Sequence, residues 1–384
     1  MDINLEIKKR KDSGLFRKRR LVTSPQGAQI DIKGKSFLNF SSNDYLGLAN
    51  NNKLKLHMVE SIKKYGVGSG SSQLMTGHMR PHQLLEKRLS IFFKKEASLI
   101  FSSGYHANLA IASTLINKNT VIIQDKLNHA SLIDSALLSE GKLVRYRHKD
   151  FFHLQKILEK YKKQDLIVMT DGVFSMDGDR APLREISKIC HKYNALLIVD
   201  DAHGVGVLGK RGAGLMEELN LEGEIDLLIG TFGKSIGASG AFIAGNENLI
   251  EAFIQKARTY IYTTAMLPAL ANTIAHAIDL IENSNNLRTH ICDLVEHYKK
   301  LSKKLELYLS NSNNHIQPII IGGANETVRV SEALYEKNIL VSAIRPPTVP
   351  KDTSRLRISI TASHTKKDIT LLLNTIKNIQ SGDC

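Results

Sequence analysis

The sequence predicts an α/β protein: a large domain on a mostly parallel seven-stranded sheet, then a smaller α+β C-terminal domain. Three observations carry this. Seven short apolar runs between residues 97 and 244 largely alternate with helical stretches, which is how βαβ units read in sequence. The loops after those runs hold Ser103-Gly104-Tyr105, Asp200-Asp201-Ala202-His203 and Thr231 with Lys234, and sheets of this kind bind ligands beyond the carboxyl ends of their strands. After Pro268 the texture changes to a long helical run and then mixed short elements. The expected division is an N-terminal segment over 1–40, a large domain over 41–270 and a small domain over 271–384.

Taken in order, residues 1–25 carry an amphipathic helical pattern (Ile3, Ile7, Leu15) that ends near Pro25. Gln29–Phe40 reads as two short strands about Lys33–Gly34. SSNDYLGL (Ser41–Leu48) is polar and turn-rich, and Lys53–Tyr65 is helical. Gly66–Ser72 (GVGSGSS) is a flexible loop, and a helix runs from Pro81 to about Phe93. Then come strands at Ala97–Phe101, Thr120–Gln124, Leu143–Tyr146, Leu166–Thr170, Ala195–Val199 and Leu227–Gly230. Ala241–Ala244 reads as a final strand that turns back. Helices are expected at Leu109–Leu115, from Ala130, at Phe152–Tyr161 and at Leu183–Tyr193. The C-terminal part gives a helical run over Leu267–Ser310 and a strand at His315–Ile321. A helix at Thr327–Lys337, strands at Ile339–Ile344 and Leu356–Ile360, and a helix at Asp368–Ile379 complete it.

Composition bounds the function. The 384 residues are 42% hydrophobic and 23% charged, as in ordinary globular proteins. No run of about 18 apolar residues suggests a membrane span, and the N-terminus lacks a secretory apolar core. Three widely spaced cysteines (Cys190, Cys292, Cys384), with no CxxC and no zinc pattern, point to the reducing cytoplasm and to no metal. Net charge is +14. The basic residues are mostly scattered, with one dense cluster at Lys8–Lys11 and Arg17–Arg20. No aromatic-basic interleaving or helix-turn-helix accompanies them, so a polyanionic substrate is favoured over nucleic acid. A basic nucleic-acid scaffold is the rival reading from another class.

The chemistry gathers at the strand ends. DLLIGTFGKSIGASG (Asp226–Gly240) sets Lys234 among apolar residues and glycines. A desolvated amine gives up its proton more readily and can attack a carbonyl. Ala195–Val199 leads into Asp200-Asp201-Ala202-His203. An acid there is either a helix N-cap or the partner of a cationic ring nitrogen in a pyridinium cofactor. Ser103-Gly104-Tyr105, at a strand-to-helix turn, offers backbone N–H groups for a phosphate, with Thr231 and the Gly66–Ser72 loop as further donors. Tyr105 and His129 offer ring faces, although His129 also suits a helix cap. Arg345, Arg355 and Arg357 flank a Pro-rich turn, and arginine grips carboxylates bidentately. Arg355 and Arg357 share a strand face, with a solvated edge the preferred reading for Arg355. GVGVLG (Gly204–Gly209) is not followed by the helix a dinucleotide site needs, and GTFGKS has Leu228 where a P-loop requires Gly.

SSNDYLGL, GVFSMDGD, VDDAHG and TFGKS together resemble the α-oxoamine synthases, pyridoxal-phosphate enzymes of aminotransferase-like fold type I. The likeness runs from NFSSNDYLGL to RLRISITASH. It implies that Lys234 carries pyridoxal 5'-phosphate as a Schiff base and moves protons. It further implies that Asp200 pairs with the pyridinium nitrogen, that His203 bonds the ring hydroxyl with Ser175 nearby, and that His129 stacks on the ring. Gly104, Tyr105 and Thr231 would hold the phosphate, and Thr263 or Thr264 would reach the phosphate of the other subunit of a homodimer. Arg357 would bind the amino-acid carboxylate, with Arg17, Asn43, Ser72 and Arg345 on the acyl side. AIRPPTVP, RLRISITASH and GSGSSQLMTG favour the member chemistry that joins L-alanine to a pimeloyl thioester, on coenzyme A or an acyl carrier protein. Glycine C-acetyltransferase-like chemistry, with glycine and a short acyl-CoA, is the alternative.

Overall fold

Segments buried on both faces decide the centre of the structure, a computed structural model that describes residues 2–13, 15–307 and 310–381. Its strands, in chain order, are β1 (Gln29–Ile32), β2 (Lys35–Asn39), β3 (Ala97–Phe101), β4 (Thr120–Asp125), β5 (Lys142–Tyr146), β6 (Asp165–Asp171) and β7 (Leu196–Asp200). Then follow β8 (Leu227–Thr231), β9 (Ala241–Gly245), β10 (Ile316–Gly322), β11 (Ile339–Leu340), β12 (Ser342–Ile344) and β13 (Ser354–Ser359). By the clustering of its Cα atoms the chain forms two compact units. The larger comprises residues 51–174 and 180–285, the smaller 1–50, 175–179 and 286–384.

The larger unit holds the expected seven-stranded sheet, ordered β3-β9-β8-β7-β6-β4-β5. Pairs β4–β5, β4–β6, β6–β7 and β7–β8 are parallel, while β9 runs antiparallel to both β3 and β8. Val121, Ile122 and Ile123 of β4 are fully buried, as are Leu197, Ile198 and Val199 of β7. Runs like these, apolar on both strand faces, need helices on both sides of the sheet. Burying each such side chain contributes about 1.5–3 kcal/mol, an upper bound against a compact unfolded chain. The helices start where side chains cap free N–H groups: Asn51 before Asn52–Tyr65, Ser103 before Gly104–Leu115 and Asp150 before Phe151–Tyr161.

The smaller unit holds two three-stranded sheets, β1-β2-β11 and β10-β13-β12. The segment 175–179 groups with it through Gly178, whose carbonyl accepts from Ser312 Oγ at 3.0 Å and Asn314 Nδ2 at 2.7 Å. Gly178 has φ +68°, and a Cβ there would lie 2.2 Å from the Ile316 carbonyl oxygen, so only glycine fits.

Three expectations need correction. The N-terminal helix spans only Ile3–Asp12 and buries no residue, so its pattern reflects no core face; residues 15–28 carry no helix, and Val22 bridges Ile32. The run over Leu267–Ser310 is two helices, Pro268–Glu282 and Asn285–Lys304, separated at Asn283–Ser284. Ile339–Ile344 is not one strand: Val341 divides β11 from β12, which join different sheets. A helix at Glu247–Lys256, capped by Asn246, was not foreseen. Among the described residues no helix is long and apolar enough to cross a membrane. Cys190 is buried and Cys292 exposed; Cys384 lies outside the described residues.

Candidate active site

In the larger unit the parallel strands deliver their last residues to one edge of the sheet. β6 ends at Asp171 and β7 at Asp200, which are register partners. β8 ends at Thr231, three residues before Lys234. The turn that carries Lys234 is closed by backbone bonds from Phe232 N to Gly240 O (2.9 Å), Ala238 N to Phe232 O (2.8 Å) and Gly237 N to Lys234 O (2.8 Å). Gly240 has φ +108°, and a Cβ on it would meet Met266 Cε at 2.2 Å. The glycines of this stretch thus serve a tight turn and close packing. Lys234 is half-buried, and its charge acts on both His129 and Asp171.

Asp200 is buried, 8% exposed. Its Oδ2 accepts from Asn108 Nδ2 at 2.8 Å and its Oδ1 from Ala202 N at 3.0 Å. Both of these donors are neutral. His203 is buried on the turn that follows. Asp171 is more deeply enclosed. Burial first, then the Asp200 charge, push its carboxyl well above the ordinary range; the His129 N–H, 2.7 Å from Oδ2, and Lys234 oppose this. Asp201 is fully buried, and desolvation pushes it up to about 7.

His129 caps the helix Ala130–Leu137, as the alternative reading of it held, and keeps an exposed side. Desolvation of the rest of the ring lowers its pKa, and Lys234 acts the same way. Ser103 caps the helix Gly104–Leu115 by accepting from His106 N at 3.2 Å. The first N–H groups of a helix have no partner within it, which leaves those of Gly104 and Tyr105 for an anion. A Cβ on Gly104 would sit 3.8 Å from Thr231 Cβ, so this helix start and Thr231 form one cradle. The Thr231 hydroxyl donates to Gly240 O at 2.9 Å and accepts from Gly233 N at 3.2 Å. Tyr105 Oη donates to Asp134. Ser72 pairs with Thr264 across an antiparallel bridge, and Ala265 N donates to Ser71 O at 3.0 Å.

The smaller unit gathers the second set. Arg357, 6% exposed, donates to Ser175 O (2.6 Å), Asn43 Oδ1 (3.1 Å), Ser359 Oγ (3.0 Å) and Tyr45 Oη (3.2 Å). Every one of these acceptors is neutral, so the guanidinium is a buried cation with capacity for a carboxylate. Arg355 is not at a solvated edge. It is buried and paired with Asp177, because the strand face it shares with Arg357 is covered. Arg345 bonds Phe16 O at 3.4 Å, and Arg17 reaches Thr348 Oγ1 at 3.5 Å. Burial, then the nearby Arg17 charge, lower the Arg345 pKa. Thus Lys234, Asp200, His203, His129, Gly104, Tyr105, Thr231, Ser72 and Thr264 lie in the larger unit; Arg17, Asn43, Ser175, Arg345 and Arg357 lie in the smaller. Asp171, Asn108 and Ser131 were not singled out by the sequence. Asp171 ends a strand as Asp200 does, so the strand-end rule would have found it; Asn108 sits in an apolar helix with no local signature.

These residues fit pyridoxal phosphate. The cofactor needs an amine, an anion cradle and a carboxylate for its ring nitrogen, and Asp200, a buried acid at a strand end that accepts from neutral Asn108 and Ala202, suits that last role. The comparisons agree. The family model for class I and II aminotransferases matches residues 35–376. Curated relatives named 8-amino-7-oxononanoate synthase include one from Marinobacter nauticus, 44% identical over 99% of this chain and 96% of its own length. Another, from Hydrogenovibrio crunogenus, is 46% identical over 97% and 95%. Among solved structures, an 8-amino-7-oxononanoate synthase from Francisella tularensis has a TM-score of 0.80 at 33% identity, over 90% of this chain and 98% of that one. A serine palmitoyltransferase from S. paucimobilis with a bound PLP–myriocin aldimine has a TM-score of 0.93 at 29% identity, over 100% and 98%. The chain therefore belongs to the class I and II aminotransferase family, among its pyridoxal-phosphate-dependent 8-amino-7-oxononanoate synthases.

Proposed function

We propose that the chain condenses L-alanine with a pimeloyl thioester, on coenzyme A or an acyl carrier protein, to give 8-amino-7-oxononanoate, carbon dioxide and the free thiol. The observation that carries this is the buried Asp200, which accepts from the neutral donors Asn108 and Ala202, on the strand beside the one that leads to Lys234. The near full-length identity to synthases of this name supports the choice of member. Serine palmitoyltransferase has the higher TM-score, but its identity is 29% against 46%. The shared backbone is thus common to the wider group, and side chains separate its members.

Pyridoxal phosphate, when bound, supplies an electron sink for the bonds at the amino-acid Cα. In this reading Asp200 would keep the ring nitrogen protonated and His203 would bond the ring hydroxyl, a role that the sequence resemblance also extends to Ser175. His129 packs on the ring face. The N–H groups of Gly104 and Tyr105, with Thr231, hold the phosphate, and Thr264 does so for the partner in a homodimer. Arg357 grips the alanine carboxylate, and Asn43, already bonded to Arg357, sets that guanidinium. Lys234 takes the Cα proton and later returns one. The carbon–carbon bond forms between alanine Cα and the acyl carbon as the thiol leaves, and the carboxylate departs as carbon dioxide. Arg17 and Arg345, two like charges close together, favour an anionic part of the acyl donor, and the resemblance assigns Ser72 to the acyl donor as well. The test is thiol release with L-alanine or glycine, each with a pimeloyl or a short acyl thioester. Alanine with the pimeloyl donor is expected to be fastest. One methyl gives about 1–3 kcal/mol of discrimination, so glycine should be slower by about tenfold or more. Faster turnover of glycine with a short donor would overturn the reading.

A further inference from the structure

Polar groups run in an unbroken chain through the larger unit. Asn108 Nδ2 donates to Asp200 Oδ2 at 2.8 Å and to Ser131 Oγ at 2.8 Å. Ser131 Oγ lies 2.7 Å from His129 Nδ1, and the Ser131 N–H points at the same nitrogen from 3.3 Å. Asn108 and Ser131 are buried.

The donor inventory gives this chain a direction. A carboxylate only accepts, and an amide donates only through its nitrogen. Asp200 therefore turns the Asn108 NH2 toward itself, and the second N–H of that group goes to Ser131. The Ser131 hydroxyl has accepted and has one hydrogen left, and His129 Nδ1 is its acceptor. A ring nitrogen that accepts carries no proton. The arrangement leaves Asn108 Oδ1 buried with no hydrogen-bond partner among the described residues. A local cost of this kind is expected where function fixes a side chain's orientation.

We propose that Asn108 and Ser131 are positioning residues that hold His129 as the neutral imidazole with its proton on Nε2, by relaying the Asp200 carboxylate to His129 Nδ1. The charges that face His129 are Asp200, Lys234 and Asp134, and Asp171 accepts its backbone N–H. A neutral imidazole avoids a like-charge stack against a cationic ring. Asn108 lies one turn beyond Gly104 on the same helix. One rigid element therefore carries both the phosphate cradle and the donor that fixes Asp200. The proposal rests on the functional reading only for what the His129 ring faces.

The experiment is a long-range proton–nitrogen NMR titration of ¹⁵N-histidine-labelled holoenzyme, repeated after cofactor removal. His129 is assigned by the signal lost in His129→Asn. The expected result is a neutral ring protonated on Nε2 in both forms. Ser131→Ala removes a bond made only to the neutral ring, so the titration midpoint should rise by about half to one pH unit. Asn108→Ala should move it the same way, and Ser131→Thr should restore it. A proton on Nδ1 in the wild type, or a midpoint unmoved in both alanine variants, overturns the proposal. The wild-type tautomer decides even if a variant fails to fold. Loss of the expected product with this tautomer intact would refute the functional reading alone.

Discussion

His364 is predicted to make the smaller unit acid-sensitive. Its ring is buried and stacks on Phe40 at 4.2 Å between centroids. Nδ1 accepts from Thr361 N at 3.0 Å, and Nε2 bonds Asn39 O at 3.1 Å. With Nδ1 accepting, the ring is neutral. Burial lowers its pKa from 6.5 to about 4. The group's folded-state pKa is depressed, so its stabilising effect is complete above about 6.5, where the folded and unfolded rings are both neutral. As pH falls below 6.5 the unfolded chain takes up the proton first and stability is lost, until the loss levels off below about 4. At about 1.4 kcal/mol per unit, the loss from pH 7.5 to pH 5 is about 2 kcal/mol, and its limit is about 3 kcal/mol. The consequence is local: the residues His364 joins lie beside Asn43 and Arg357 in sequence. The assay is urea unfolding of wild type and His364→Gln at pH 7.5 and pH 5, with an NMR titration of His364. The wild type should lose about 2 kcal/mol more than the variant across that interval. Equal losses in the two proteins, or a ring that titrates near 6.5, would refute the reasoning.

Three further outcomes concern the site. Borohydride reduction of the holoenzyme followed by peptide mapping should label Lys234, and Lys234→Ala should fold yet lose turnover; label on another lysine contradicts the assignment. Asp200→Asn should retain cofactor while turnover falls about ten- to a hundredfold, the worth of one hydrogen bond to a charged group. Near-normal activity would remove its proposed role. Arg357→Lys loses the planar fork, so KM for L-alanine should rise about tenfold or more while KM for the acyl donor changes little. A reversed pattern would place Arg357 on the acyl side.

The chain's order of strands was legible because the central parallel strands are short apolar runs buried on both faces, as Val121–Ile123 and Leu197–Val199 show, while β5, which pairs with β4 alone, is buried only at Tyr146. Ala241–Ala244 was recognised as turning back, and it does so as β9. Local pattern failed where tertiary contacts decide. Ile3 and Ile7 suggested a core face, yet both are exposed. Asn283–Ser284 breaks the long helical run, and the polar stretch ENSNN was its available signal. Strand alternation put Arg355 and Arg357 on one face but carried no information on what covers it; Asp177 does.

The candidate site divides the same way. Lys234, Asp200 and Gly104 were readable because strand ends and helix starts have composition signatures. Asn108 and Ser131 were not, since a lone amide in an apolar helix and a serine in a helix's first turn are common. Only the folded sheet brings Asn108 to Asp200, 92 positions away in sequence. The pairing of Ser72 with Thr264 is likewise a long-range bridge that neither segment announces.

The most direct test of the central claim is mass analysis of the product formed by purified holoenzyme from L-alanine and pimeloyl thioester, with coenzyme A and acyl carrier protein donors run separately. The account predicts 8-amino-7-oxononanoate, with carbon dioxide and free thiol released in equal amounts. Absence of that product with both donors, alongside rapid turnover of glycine with a short acyl-CoA, would contradict it.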